Sequence, residues 1–356
     1  MALHQAIQRL LLIGARLVSF PHLPPPKKPA RLLPLFAAVE SAHQRFDRRA
    51  LDYGDRYRSG FWVIYLLSAV AVLCAVLPLA LGWDSPSHTF HPYARLWAIC
   101  EVMIIGVVLL IYWLGHRSDW QGEWLRARTT AELTSYLPML APLLDFNSSA
   151  LQAAQASQPA QALEPNWYVR LFDPGQHLRT ADDVSVLCAQ LEPDARKQLE
   201  GAWSDPEFVR DYIQWTIDTL EGQRRYHARV AAKQHALLHR VHRVNGTLFG
   251  LTALAALMHL FIHELWLSLV TTFFPALGAS LHGAMAQAET YRLAATSERL
   301  ARDLGDSIAR IQHSMAPLSG DPLTAVKGSI EGALALILEE HQDWNLLVRP
   351  HHLPLA

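Results

Sequence analysis

Three stretches of this chain are almost free of charge. From Ser59 to Trp83 there is no Asp, Glu, Lys or Arg. From Leu96 to Gly115 there is only Glu101, and from Val244 to Ala288 only Glu264. A helix needs about 20 mostly apolar residues to cross a hydrocarbon core. Phe61–Leu81 and Leu96–Leu114 each satisfy that length. The last block, Thr247–Ala286, is about twice as long and is interrupted by His263 and Glu264. It predicts two spans, over 247–265 and 268–286, joined by a very tight turn. The pattern therefore predicts an all-α integral membrane protein with four transmembrane helices arranged as two hairpins and long cytoplasmic helices.

Polar flanks orient the spans. Arg45, Arg48, Arg49, Arg56 and Arg58 precede the first, and Arg117, Arg126 and Arg128 follow the second. Arg224, Arg225, Arg229, Lys233, Arg240 and Arg243 precede the third, and Arg292, Arg299 and Arg302 follow the fourth. The connection Asp84–Ala94 and the turn after His263 carry no Lys or Arg. The positive-inside rule then places both termini and the central region in the cytoplasm, and both hairpin tips outside. Trp83, Tyr93 and Trp266 are placed as interfacial aromatics. The N-terminal stretch Met1–Phe20 has a short apolar core flanked by Arg9 and Arg16, without a small-residue cleavage site. It reads as an amphipathic segment on the inner membrane face, followed by a stiff basic linker, His22–Pro29.

Each hairpin stands between charged helices. Arg45-Phe46 with Arg49 precedes the first, and Arg225-Tyr226 with Arg229 precedes the second. This layout suggests an internal duplication. The predicted organisation is an amphipathic, Pro-rich segment over 1–40 and a first helix–hairpin–helix unit over 41–145. A linker with short helices follows over 146–204, then a second unit over 205–315, and a C-terminal helix and tail over 316–356. Asn147–Pro165, rich in Ala, Gln, Ser and Pro, reads as a flexible linker. Short helices are predicted around 181–191 and 193–203, and a final helix over 322–347. Asp205, Pro206 and Glu207 mark a helix start, with no proline before the membrane. Leu293, Leu300, Leu304, Ile308, Ile311 and Met315 form a heptad-like stripe whose partner lies within the chain or between subunits.

Composition confirms the class and narrows the chemistry. Hydrophobic residues make up 51% and charged residues 18%, against a usual charged share of about 25%. Lys and Arg total 31, Asp and Glu 32, for a net charge of −1, which excludes a nucleic-acid binder working by bulk positive charge. Cys74, Cys100 and Cys188 have neither disulfide nor zinc spacing. No phosphate-binding Gly-rich loop, nucleophile elbow, metalloprotease helix or dinucleotide fingerprint occurs. No enzyme, cofactor or metal is predicted. His235, His239 and His242 share a helix face, but beside Arg240 and Arg243 they read as a polar stripe rather than a metal site. His259 and His263 read as a hydrogen-bonded pair near the second hairpin tip, with His282 opposite.

Glu101 is the sharper signal. A carboxylate in a span costs roughly 2.5–3.5 kcal/mol at the membrane centre and less near the interface. It reads either as a pore or gate carboxylate, or as a group bonded to a neighbouring span or snorkelling outward. Gly278, Ser280 and Gly283 belong to a run of small residues in the fourth span. They allow close helix approach, and they are also candidates to line an oligomeric pore.

The stretch Trp215-Thr-Ile-Asp-Thr-Leu-Glu-Gly-Gln223-Arg-Arg-Tyr226, leading through a charged helix into a two-span hairpin, resembles the SLATT family. Asp343-Trp344 with Arg349 is similar too. The resemblance covers 205–356 well and 42–144 more loosely, with Trp215, Gln223 and Tyr226 as the motif residues. Such domains are two-transmembrane effectors associated with SMODS nucleotidyltransferases and SLOG sensors in bacteria. The resemblance implies a pore-forming or ion-conducting effector of conflict or antiviral systems in the bacterial inner membrane. Its implied partners are the lipid bilayer, other copies of itself, and a SLOG sensor or a nucleotidyltransferase-derived signal. The alternative is a non-conducting membrane scaffold that recruits a cytoplasmic partner.

Overall fold

The computed structural model describes residues 3–13, 24–143, 197–315 and 325–337. The linker Asn147–Pro165, the short helix expected at 181–191 and the residues Asp343, Trp344 and Arg349 lie outside them. Among the described residues all regular structure is helical. In chain order the helices are α1 (Leu3–Leu11), α2 (Leu33–Ala80), α3 (His91–Arg117), α4 (Trp120–Leu140), α5 (Pro206–His259), α6 (Trp266–Gln287), α7 (Thr290–Ser314) and α8 (325–337). Of these, α2, α3 and α6 are long and apolar enough to cross a membrane.

Local chemistry accounts for the helix ends. The helix α2 takes Pro34 in its first turn, where a missing N–H costs nothing. It begins well before the boundary at 40 that the composition suggests, because 33–40 supplies apolar residues at helical spacing. Pro78 lies in its last turn, and Gly82 at φ +69° closes the chain into the turn that follows. The Asp205 carboxylate accepts hydrogen bonds from the N–H groups of Glu207 and Phe208, so α5 is capped as its sequence predicts. It then runs 54 residues without a break, about 81 Å at 1.5 Å per residue.

Two halves share one layout. In the first, α2 packs along α3 and α4; in the second, α5 packs along α6 and α7, and α6 also packs on α2. The corner into α4 falls at Asp119 (φ 43°) and the corner into α7 at Glu289 (φ 50°). Among the described residues these are the non-glycine positions with positive φ. Both are acidic residues standing directly before the return helix, where a sharp corner reverses the chain.

The core is split along the length. At the charged end, Leu35, Leu140, Tyr212, Trp215, Leu304 and Ile330 pack together, so α2, α4, α5, α7 and α8 share one bundle. Arg31 of the first half meets Asp205 of the second at 2.8 Å, and Phe36 stands edge-on to Trp215 at 5.4 Å. The second core joins Tyr57, Phe61, Trp62 and Ile64 of α2 to Leu237 and Val241 of α5, and to Leu281, Ala284 and Met285 of α6. It lies where the charged part of α2 gives way to the apolar run. The stripe on α7 finds its partner within the chain: Leu300, Leu304, Ile308 and Ile311 are buried in the first core, while Met315 is exposed.

The helix α1 sits in the groove between α2 and α5. Ile7, Leu11 and Leu12 pack on the second core, and His4 is buried against Ser59 at 3.4 Å. Its amphipathic face is thus spent on the protein, although Leu3 and Leu10 remain exposed.

Candidate functional site

Glu101 lies on a seam of α3 at helical spacing: Ala94, Trp97, Glu101, Ile104, Val108, Ile111, Tyr112 and Gly115 are the more covered positions, and the other residues between Ala94 and Gly115 are exposed. That seam faces α2, and Glu101 comes close to Cys74. No ion pair or hydrogen bond holds its carboxylate among the described residues. The opposite face of α3 is bare and apolar, with Val102 68% and Met103 64% exposed. Such a surface fits lipid or another apolar partner and not water.

The small residues of α6 serve close packing. A Cβ on Gly283 would lie 2.4 Å from Tyr65 Cε1 of α2, so only glycine permits this approach. Gly278 faces Asn245 and Phe249 of α5, with room for a methyl group at 3.5 Å. Ser280 is buried. The contact at Gly283 lies between the two halves, not inside the second hairpin. Within one chain these residues do not share a wall with Glu101, because α3 packs on α2 and α6 packs on α2 and α5.

Histidines do not gather. Among the described residues no three metal-ligating side chains converge. His235 meets Glu298 of α7 at 3.3 Å, whereas His239 and His242 are exposed. The helix α5 ends at His259, so His263 falls in the turn and both are exposed. The helical spacing on which a His259–His263 pair depends is not realised, because the chain leaves the helix to reach α6.

On the stalk, Trp215 is core and Tyr226 is surface. Trp215 is buried between Phe36 and Tyr212, and Tyr226 stands edge-on to His227 at 5.1 Å with its ring exposed. Gln223 is half-buried. Beside it, the Glu221 carboxylate accepts from Arg224 and Arg225 at 2.6 and 2.7 Å. The bonds to Arg224, then Arg225, hold its pKa down to about 2. Tyr212 donates to the Met139 carbonyl at 2.7 Å and ties α5 to α4; its burial raises the phenol pKa far above the usual value.

The junction at the base of the apolar region has no signature in the sequence. Tyr57 accepts from Gln287 at 2.7 Å, pinning the end of α6 to α2, and burial pushes its pKa up to about 12. The next residue, Arg58, neighbours Lys233 and His4, which are far apart in sequence and carry no common motif. Only the fact that Arg58 is the last charge before an apolar run could have singled it out. Comparison with family models, with characterised proteins and with solved structures returns no match to this chain.

Proposed function

We propose that this chain is a four-span membrane effector that conducts ions as a homo-oligomer when a signal reaches its stalk. The observation that carries the reading is the continuity of α2 and α5. Each runs without a break from the charged-end core into the apolar region, so a rearrangement of the bundle is transmitted along rigid rods to the span helices. The SLATT resemblance supplies the expected trigger, a nucleotide signal or a partner sensor.

The third span in chain order is the apolar end of α5. Its window is diluted by Arg243, Asn245 and His259. Depth supports its crossing all the same. Val241 packs in the same core as Phe61, and α5 continues 18 residues beyond it to His259 while α2 continues 19 beyond Phe61 to Ala80. The helix α6 begins beside that end and runs about 33 Å back, to reach Tyr57 through Gln287. In this reading both hairpin tips face outward, and the stalk with both termini is cytoplasmic in a bacterial inner membrane.

Reconstituted wild-type protein, supplied with its trigger, is expected to pass current, and Glu101→Gln to lower its preference for cations by removing a carboxylate from each copy. A non-conducting scaffold is the second reading, favoured by the seam position of Glu101 away from α6. It predicts no current from the wild type under any ligand.

A further inference from the structure

We infer that the junction of α1, α2 and α5 is a binding site for a phosphate-bearing anion, and its position favours the headgroup of an anionic lipid as the source. Arg58, Lys233, Arg9 and Arg240 supply the positive charge. The cluster is built by the docking of α1. Lys233 Nζ donates to Gln8 Oε1 at 3.0 Å, Arg240 donates to the Ile13 carbonyl, and His4 packs on Ser59 at 3.4 Å. Arg58 gives its Nε proton to the Gly54 carbonyl at 3.0 Å and lays its guanidinium over Trp124 at 5.3 Å, leaving its terminal N–H groups for a ligand.

Cover without a counter-charge sets this place apart. Arg49 and Arg126 meet Glu123, Arg128 meets Asp47 and Glu132, and Arg224 and Arg225 meet Glu221. Arg45, Arg229 and Arg243 have no carboxylate among the described residues but are exposed, whereas Arg58, Lys233 and Arg240 are half-buried. Among the described residues none of the four junction cations has such a partner. Asp55, 4.0 Å from His4, offsets one charge. Arg9 stands exposed at the margin. Withdrawing the half-buried Arg58, Lys233 and Arg240 from water without a counter-charge is costly, and a phosphate, which accepts two N–H groups from an arginine and a third from a lysine, repays that cost. The local field agrees: burial, then Arg58, depresses His4 to about 4, and burial, then Arg58 and Arg9, lowers Lys233.

Arg58 stands one turn before Phe61, where the apolar run of α2 begins. That is the height of the inner-leaflet phosphates on the membrane reading above. The lipid source rests on that reading; the phosphate site does not.

Thermal unfolding of the full chain in neutral detergent, followed by tryptophan fluorescence, tests the inference without reference to topology. Short-chain phosphatidylglycerol should raise the midpoint, and phosphatidylcholine should not. Lys233→Gln and Arg9→Gln, at the margin of the site, should each raise the phosphatidylglycerol concentration required by about tenfold, and Lys233→Arg should restore it. Arg58→Gln alone risks the fold, because its side chain packs on Trp124. Inorganic phosphate, compared with chloride at equal ionic strength, separates the sources. A rise with the same residue dependence upholds the site with a soluble anion as ligand, and no rise upholds the lipid. Equal effects of the two lipids, or a response undiminished in both glutamine variants, would overturn the proposal.

Discussion

Gly283 is where α6 comes closest to α2. A methyl group there meets the Tyr65 ring, and forcing one in costs roughly 1–3 kcal/mol. Gly283→Ala is therefore expected to lower the thermal midpoint, while Gly278→Ala, with ordinary contact distances, leaves it nearly unchanged. Equal effects would place the close approach elsewhere. Glu221 makes a pH prediction. Its pKa is depressed from 4.5 to about 2 by Arg224 and Arg225, so its contribution is present above about pH 4.5 and is lost as pH falls through 2. The arginines are partly exposed, which limits that contribution to about 1 kcal/mol or less. Acid titration of stability should be flatter in Glu221→Gln over that window. The small residues of α6 were legible as packing residues, because close approach needs only the absence of a side chain. Their partner Tyr65 was not, since nothing in the sequence relates positions more than two hundred residues apart.

Among the elements, the return helices depend on their corners. Asp119 adopts a left-handed conformation and accepts from the Gly122 N–H at 3.2 Å. Its carboxylate also receives Arg126. Asp119→Ala keeps the strained backbone and loses the cap, at an expected cost of 1–2 kcal/mol, about that of a lost N-cap. Chemical denaturation checks it, and an unchanged midpoint would mean that α3 and α4 turn without help from this side chain. The start of α5 was legible because Asp205, Pro206 and Glu207 act within one turn. The end of α5 was not: the apolar run continues past His259, and the helix stops where α6 must begin. The amphipathic pattern of α1 was visible too, but an apolar stripe fits a protein groove as well as a membrane surface. The choice is made by Ser59, Lys233 and Arg240, which lie far along the chain.

For the whole molecule, the charged-end core joins both halves, so the α7 stripe is a folding element before it is an assembly element. Replacing Leu304, fully buried, with Asp puts an unpaired charge among Tyr212, Leu220 and Ile330. The expected result is loss of the folded chain, seen as early protease cleavage of the stalk. A folded variant with a smaller oligomer would instead assign the stripe to an interface between copies. The hairpin count decides on which side of the membrane the C-terminal half lies. Three crossings, by α2, α3 and α6 alone, would leave the C-terminus on the opposite side from the N-terminal half of α2. Four crossings return it to the same side. A periplasm-active reporter fused to Ala356 separates the two most directly, with a fusion at Ser87 as the active control. With four crossings the reporter at Ala356 is inactive; an active reporter there means three.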